Sequence, residues 1–110
     1  MHPRDIGAAI KVVRGIAPAD ASAGTINGAA IDREGYLSAV LHHTCGAASG
    51  SPSAQTVDSK IQDSADGSTG WADYTGGAAG QLDADNEEAE VDIDLSGAKR
   101  YIRVVNVVAF

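Results

Sequence analysis

Glu90-Val91-Asp92-Ile93-Asp94-Leu95-Ser96-Gly97 and, two residues on, Lys99-Arg100-Tyr101-Ile102-Arg103-Val104-Val105-Asn106-Val107-Val108-Ala109-Phe110 carry the clearest structural signal in the chain. In the first stretch Val91, Ile93 and Leu95 alternate with Glu90, Asp92 and Asp94, the period of two expected of a strand with one face buried and one in water. Ser96-Gly97 turns the chain. In the second stretch Ile102, Val104, Val108 and Phe110 share one face with Asn106, while Tyr101, Arg103, Val105 and Val107 form the other. A strand that is apolar on both faces needs cover, so this run is expected at the centre of a sheet or beneath another subunit.

Upstream segments read the same way. Residues 36–45 put Leu37, Ala39 and Leu41 on one face and Tyr36, Ser38, Val40 and His42 on the other, and two partly apolar faces predict a central strand. Residues 55–62 alternate Val57, Ser59 and Ile61 with Asp58, Lys60 and Gln62, a half-solvated strand. The polar run Asp63-Ser64-Ala65-Asp66-Gly67-Ser68-Thr69-Gly70 should turn tightly into Trp71-Ala72-Asp73-Tyr74-Thr75 as a hairpin. Residues 25–31 form a further strand candidate, interrupted by the turn dipeptide Asn27-Gly28, which could instead mark a hairpin. Small-residue stretches at 46–53 and 76–80 read as loops. The expected organisation is an N-terminal arm and first short strand over residues 1–15, then one domain over 16–110. About seven short strands predict an all-β, antiparallel β-sandwich, jelly-roll-like in character.

Composition agrees. The chain has 110 residues, 15 acidic and 8 basic side chains and a net charge of −7, which fits one domain and argues against a binder of nucleic-acid phosphates. Nine Val and eight Ile against four Leu favour pleated strands over helices, and twenty Ala leave a thin core. The single cysteine, Cys45, excludes an internal disulfide framework. The run Met1-His2-Pro3-Arg4-Asp5-Ile6-Gly7 lacks the apolar core of a signal peptide, and no stretch is apolar enough to span a bilayer, so neither secretion nor membrane contact is expected.

Few constellations suggest chemistry. His42-His43-Thr44-Cys45 offers soft ligands, but His42 and His43 point to opposite faces of a strand, and His43 with Cys45 does not close a tetrahedral site. Asp83-Ala84-Asp85-Asn86-Glu87-Glu88 offers oxygen atoms to a hard cation without the central glycine and flanking helices of an EF-hand, and reads as a solvated acidic loop. No nucleophile elbow or phosphate-cradling glycine loop is found. The sequence therefore predicts no catalytic residues, no metal, no cofactor and no enzymatic activity. Trp71 and Tyr74 could form a stacking platform for a sugar, or serve as core anchors.

Three stretches combine in a distinctive order: Ala30-Ile31-Asp32-Arg33-Glu34-Gly35-Tyr36-Leu37-Ser38-Ala39-Val40, the segment from Val57 to Ile61-Gln62-Asp63-Ser64-Ala65-Asp66-Gly67-Ser68, and Val91-Asp92-Ile93-Asp94-Leu95-Ser96-Gly97-Ala98-Lys99-Arg100-Tyr101-Ile102-Arg103-Val104. Over residues 25–110 the chain resembles small structural proteins of tailed bacteriophages and prophages found among head genes. The resemblance implies a virion component made in the host cytoplasm and carried on the outer capsid surface: a decoration or cement protein, a homo-oligomer whose partner is the major capsid protein. The locally basic arm supplies Arg4, Lys11 and Arg14 as candidate contacts with the lattice or between copies, and the two-faced last strand supplies Tyr101, Arg103, Val105 and Val107. Two other roles fit the sequence, a carbohydrate-binding or adhesion module using Trp71 and Tyr74, and a structural protein of the tail or head-tail joint.

Overall fold

Alternation becomes sheet throughout the computed structural model, which describes residues 10–16, 23–46 and 55–109. Seven strands form, all paired antiparallel: β1 (Gly24–Asn27), β2 (Ile31–Asp32), β3 (Ser38–Thr44), β4 (Thr56–Ser64), β5 (Ala72–Ala78), β6 (Glu88–Asp94) and β7 (Tyr101–Ala109). Five of them make one sheet in the order β1-β7-β4-β5, with β2 also on β7, and β3 pairs with β6 as a separate two-stranded ribbon. The ribbon packs over the sheet through Leu41, Ile61, Ile93, Leu95 and Ala98, with Tyr74, Ile102 and Val104 against them. This is an all-β, sandwich-like arrangement. Among the described residues its five-plus-two partition falls short of the eight strands of a jelly roll.

The last strand lies at the centre of the larger sheet. β7 pairs with β4 along its whole length, from Thr56↔Ala109 to Ser64↔Tyr101, and on its other side with β1 and β2. Of the two covers that its apolar faces allow, neighbouring strands of the same chain supply most. Val105, on the outward face, is already 2 % exposed. Phe110 lies outside the described residues.

Two expectations are corrected. Residues 36–45 give an edge strand, because among the described residues β3 has β6 on one side and no strand on the other. Its two apolar faces come from Val40, which stays exposed, and not from a central position. Residues 10–14 form no strand, and Ala9 lies outside the described residues. Asn27-Gly28 does interrupt the segment around it, but β1 and β2 both lie along β7 and do not form a hairpin with each other. At the break the Gly28 amide donates to the Val104 carbonyl at 2.7 Å, so the β7 ladder continues through it.

The β4–β5 hairpin follows from its turn chemistry. The Asp66 carboxylate accepts the amides of Ser68 and Thr69 and the Thr69 hydroxyl, each at 2.9 Å, and Gly67 and Gly70 take the positive φ that the turn requires. These bonds, the Thr69 amide foremost, hold the Asp66 carboxyl far below the usual carboxylate range.

The crossing from ribbon to sheet, residues 95–100, is pinned by two side chains. Arg33 donates Nε to the Lys99 carbonyl at 2.8 Å and its terminal nitrogens to the carbonyls of Ala98 and Tyr36. Buried Asp63 accepts the Lys99 amide at 3.0 Å. Next to them Arg100 reaches both oxygens of Asp32, at 3.2 and 2.9 Å, and Glu34 at 3.0 Å. The Arg100 guanidinium draws the Asp32 carboxyl below its ordinary range, and the two carboxylates raise the Arg100 pKa in return.

Candidate functional site

The β3–β6 ribbon has one capped edge and one open edge. The Leu95 amide donates to the Leu37 carbonyl at 2.8 Å, and the Cys45 amide to the Glu87 carbonyl at 3.0 Å, so the odd-numbered positions of β3 face β6. Antiparallel pairing alternates, which directs the backbone groups of Ser38, Val40, His42 and Thr44 away from β6 to the unpaired edge. On the far side of β6 the Asp94 carbonyl is capped by the Tyr74 hydroxyl at 2.5 Å. Glu88, Glu90, Asp92 and Asp94 line the exposed face of β6, whereas Ser38, Val40, His42 and Thr44 place no carboxylate or lysine on that of β3. Charges blunt strand edges, and β3 places neither a lysine nor a carboxylate there, His42 being paired with Glu88 of β6 at 3.4 Å.

Apolar side chains gather at this edge. Leu37 is 69 % and Val40 60 % exposed, with Tyr36 also in solvent. Below lies an open cleft of about 1790 Å³ between ribbon and sheet, bordered by β3, by Ile26, Ile31 and Val104 of the larger sheet, and by residues 10–16. Two strands cannot cover a sheet of five, and the cleft is the uncovered part. Within its lining, Ser59 Oγ, Asn106 Oδ1 and His43 Nδ1 are buried without a hydrogen-bond partner, while His43 Nε2 is paired with the Gly80 carbonyl at 2.8 Å. Ser59 and Asn106 are direct cross-strand partners.

Sequence-predicted contacts scatter over the molecule. Arg4 lies outside the described residues. Lys11 and Arg14 are exposed on the arm. On the outward face of β7, Arg103 is held by Gln62 Oε1 at 3.0 and 2.7 Å and stacks over the Trp71 ring at 4.6 Å, and Tyr101 is half-buried. Val107 is exposed, and Val105 is buried within the chain.

Trp71 and Tyr74 do not form one surface. Tyr74 packs into the inter-sheet core, whereas Trp71 lies against outward-facing Arg103. In the acidic loop the Glu87 carboxylate accepts the amides of Asp83 and Ala84, both at 2.8 Å, which lowers its pKa and folds the loop on itself. Cys45 Sγ donates to the Ala84 carbonyl, and among the described residues no three His, Cys, Asp or Glu side chains group to hold a metal.

No protein-family model matches this chain, and no curated protein or solved structure matches it either. The edge of β3 was not among the candidates drawn from sequence. Its signal is the contrast between the all-carboxylate outer positions of β6 and the uncharged, partly apolar positions of the segment that pairs with it.

Proposed function

We propose that the protein is a non-enzymatic virion component, a capsid decoration or cement protein that binds the assembled head lattice of a tailed phage and stabilises it by bridging subunits. One observation carries this reading beyond the sequence resemblance: among the described residues the smaller sheet has an open strand edge without lysine or carboxylate, and exposed apolar side chains at Leu37 and Val40. A surface of that kind is finished by another polypeptide. The acidic face of the ribbon suits an outer shell, where no DNA phosphate must be approached. Weak contacts suffice because a lattice presents the same site many times.

The test is co-sedimentation with heads purified from the cognate particle. Saturable binding in a fixed ratio to the lattice subunits, together with a higher temperature of head disruption, supports the reading. Absence of the protein from the head fraction at saturating concentration overturns it. The sugar-binding reading is less well supported, because Trp71 is engaged by Arg103 and Tyr74 faces the core.

A further inference from the structure

Each edge of the molecule can be examined for what could pair with it. β1 is only four residues long. β5 pairs with β4 through a register shift between Lys60 and Gln62, and Gly76 has a positive φ, an irregularity that turns an edge away from a flat partner. The far side of β6 has the Tyr74 cap and a row of carboxylates. Among the edge strands of the described residues, β3 alone combines seven residues, a regular register and an outer face without lysine or carboxylate.

The chain also carries a segment of the complementary kind. Residues 10–14, Ile10-Lys11-Val12-Val13-Arg14, are exposed and form no strand, with Val12 at 87 % exposure and Ile10 at 55 %. Leaving three β-branched side chains in water is unfavourable relative to burying them. The arm is cationic, whereas the ribbon presents Glu88, Glu90, Asp92 and Asp94. A strand added to β3 lies about 10 Å from β6, two strand spacings away, comparable to the Debye length at about 0.1 M salt, so the attraction is partly screened at physiological salt and stronger below it.

We propose that the open edge of β3 is a docking site for residues 10–14 of a second copy of this chain, which join the ribbon as its third strand. Backbone groups of Ser38, Val40, His42 and Thr44 receive the incoming strand, which runs parallel to β3, the orientation in which Ile10 and Val12 turn their side chains inward while their backbone groups bond to β3. Alternation lets Ile10 and Val12 enter the cleft above Ile26, Ile31 and Val104 while Lys11 stays on the outer face near the β6 carboxylates. Charge complementarity and the matching apolar surfaces identify the occupant as the arm of this chain. The pair is not made within a single copy, where residues 10–14 lie at the cleft without joining β3. This inference goes beyond the capsid role and does not depend on it, because self-association is read on the chain alone.

Two proline substitutions test it without removing any bond that the single chain makes. Val40→Pro deletes an amide directed to the open edge, a position where proline is tolerated, and Val12→Pro deletes one on the unpaired arm. Light scattering coupled to size exclusion, over a concentration series of the full chain, should give a concentration-dependent oligomer for the unsubstituted protein. Each proline variant should associate at least about tenfold more weakly, the cost of one lost hydrogen bond with its strand geometry. Circular dichroism of both variants should retain the strand signal, and Val12→Pro, outside every strand, keeps the test valid if Val40→Pro misfolds. A strict monomer at millimolar concentration overturns the proposal, as does an oligomer that neither proline weakens. A chain that stays monomeric alone and is recruited only by heads overturns the second-copy occupant while leaving the capsid role standing.

Discussion

Gly28 and Gly15 meet backbone to backbone: a Cβ on Gly28 would collide with the Gly15 carbonyl oxygen, and one on Gly15 would strike the Val104 side chain. This contact seats the root of the arm on the larger sheet, where β1 ends and β7 passes beneath. Gly28→Ala should therefore destabilise the fold by about 1–3 kcal/mol through overpacking and release the arm. Urea melts measure the first effect. Faster tryptic cleavage after Arg14 measures the second, and unchanged cleavage would mean the arm is seated elsewhere.

Asp66 ties stability to pH. Its folded pKa is depressed below the ordinary value of 3.8, so its stabilising contribution is full above that value and is lost as pH falls through the folded pKa. Melting temperature should fall as pH drops below about 4. Asp66→Asn should lower the melting temperature at neutral pH and flatten that acid limb. An equally steep limb in the variant would assign acid sensitivity to other carboxylates.

Arg33 should resist conservative replacement. Its fork holds the carbonyls of Lys99, Ala98 and Tyr36, a geometry that an ammonium group cannot reproduce. Arg33→Lys should cost about 1–3 kcal/mol in urea unfolding, close to the cost of Arg33→Ala. A lysine variant as stable as the parent would show that charge alone matters at the corner.

Leu95 is 1 % exposed in a core with few large side chains. Leu95→Ala should cost about 2–5 kcal/mol, a large part of the stability of a domain of this size. Ser59→Ala tests the polar part of the cleft lining. If Ser59 Oγ has no partner, removing it should be neutral or raise stability by up to about 1 kcal/mol. Destabilisation would reveal a bound water bridging it to neighbours.

Much of the strand pattern was legible before the coordinates because it is local. Val91, Ile93 and Leu95 face inward and Glu90, Asp92 and Asp94 outward, as their alternation requires, and the Asp66 turn lies where its residues place it. Sheet membership was not local. The two apolar faces of residues 36–45 fit a central strand and an exposed edge equally well, and only the absence of a neighbouring strand among the described residues separates the two. The reverse holds for β7, whose outward Val105 is covered within the chain. The buried Ser59, Asn106 and His43 atoms leave no local signal in the sequence, since their placement depends on β4–β7 register and on the loop carrying Gly80. Of the contact residues expected from sequence, Lys11 and Arg14 lie on the arm and Val107 is exposed, whereas Arg103 is occupied by Gln62 and Trp71.

Amide hydrogen exchange along β3, followed as protein concentration rises from dilute monomer to assembled oligomer, tests most directly whether another chain finishes the ribbon. The account predicts that the amides of Val40, His42 and Thr44 exchange rapidly when dilute and become protected on assembly, while Leu41 and His43 stay protected throughout. Protection of all five amides at every concentration, or continued rapid exchange at Val40 in the assembled state, would contradict it.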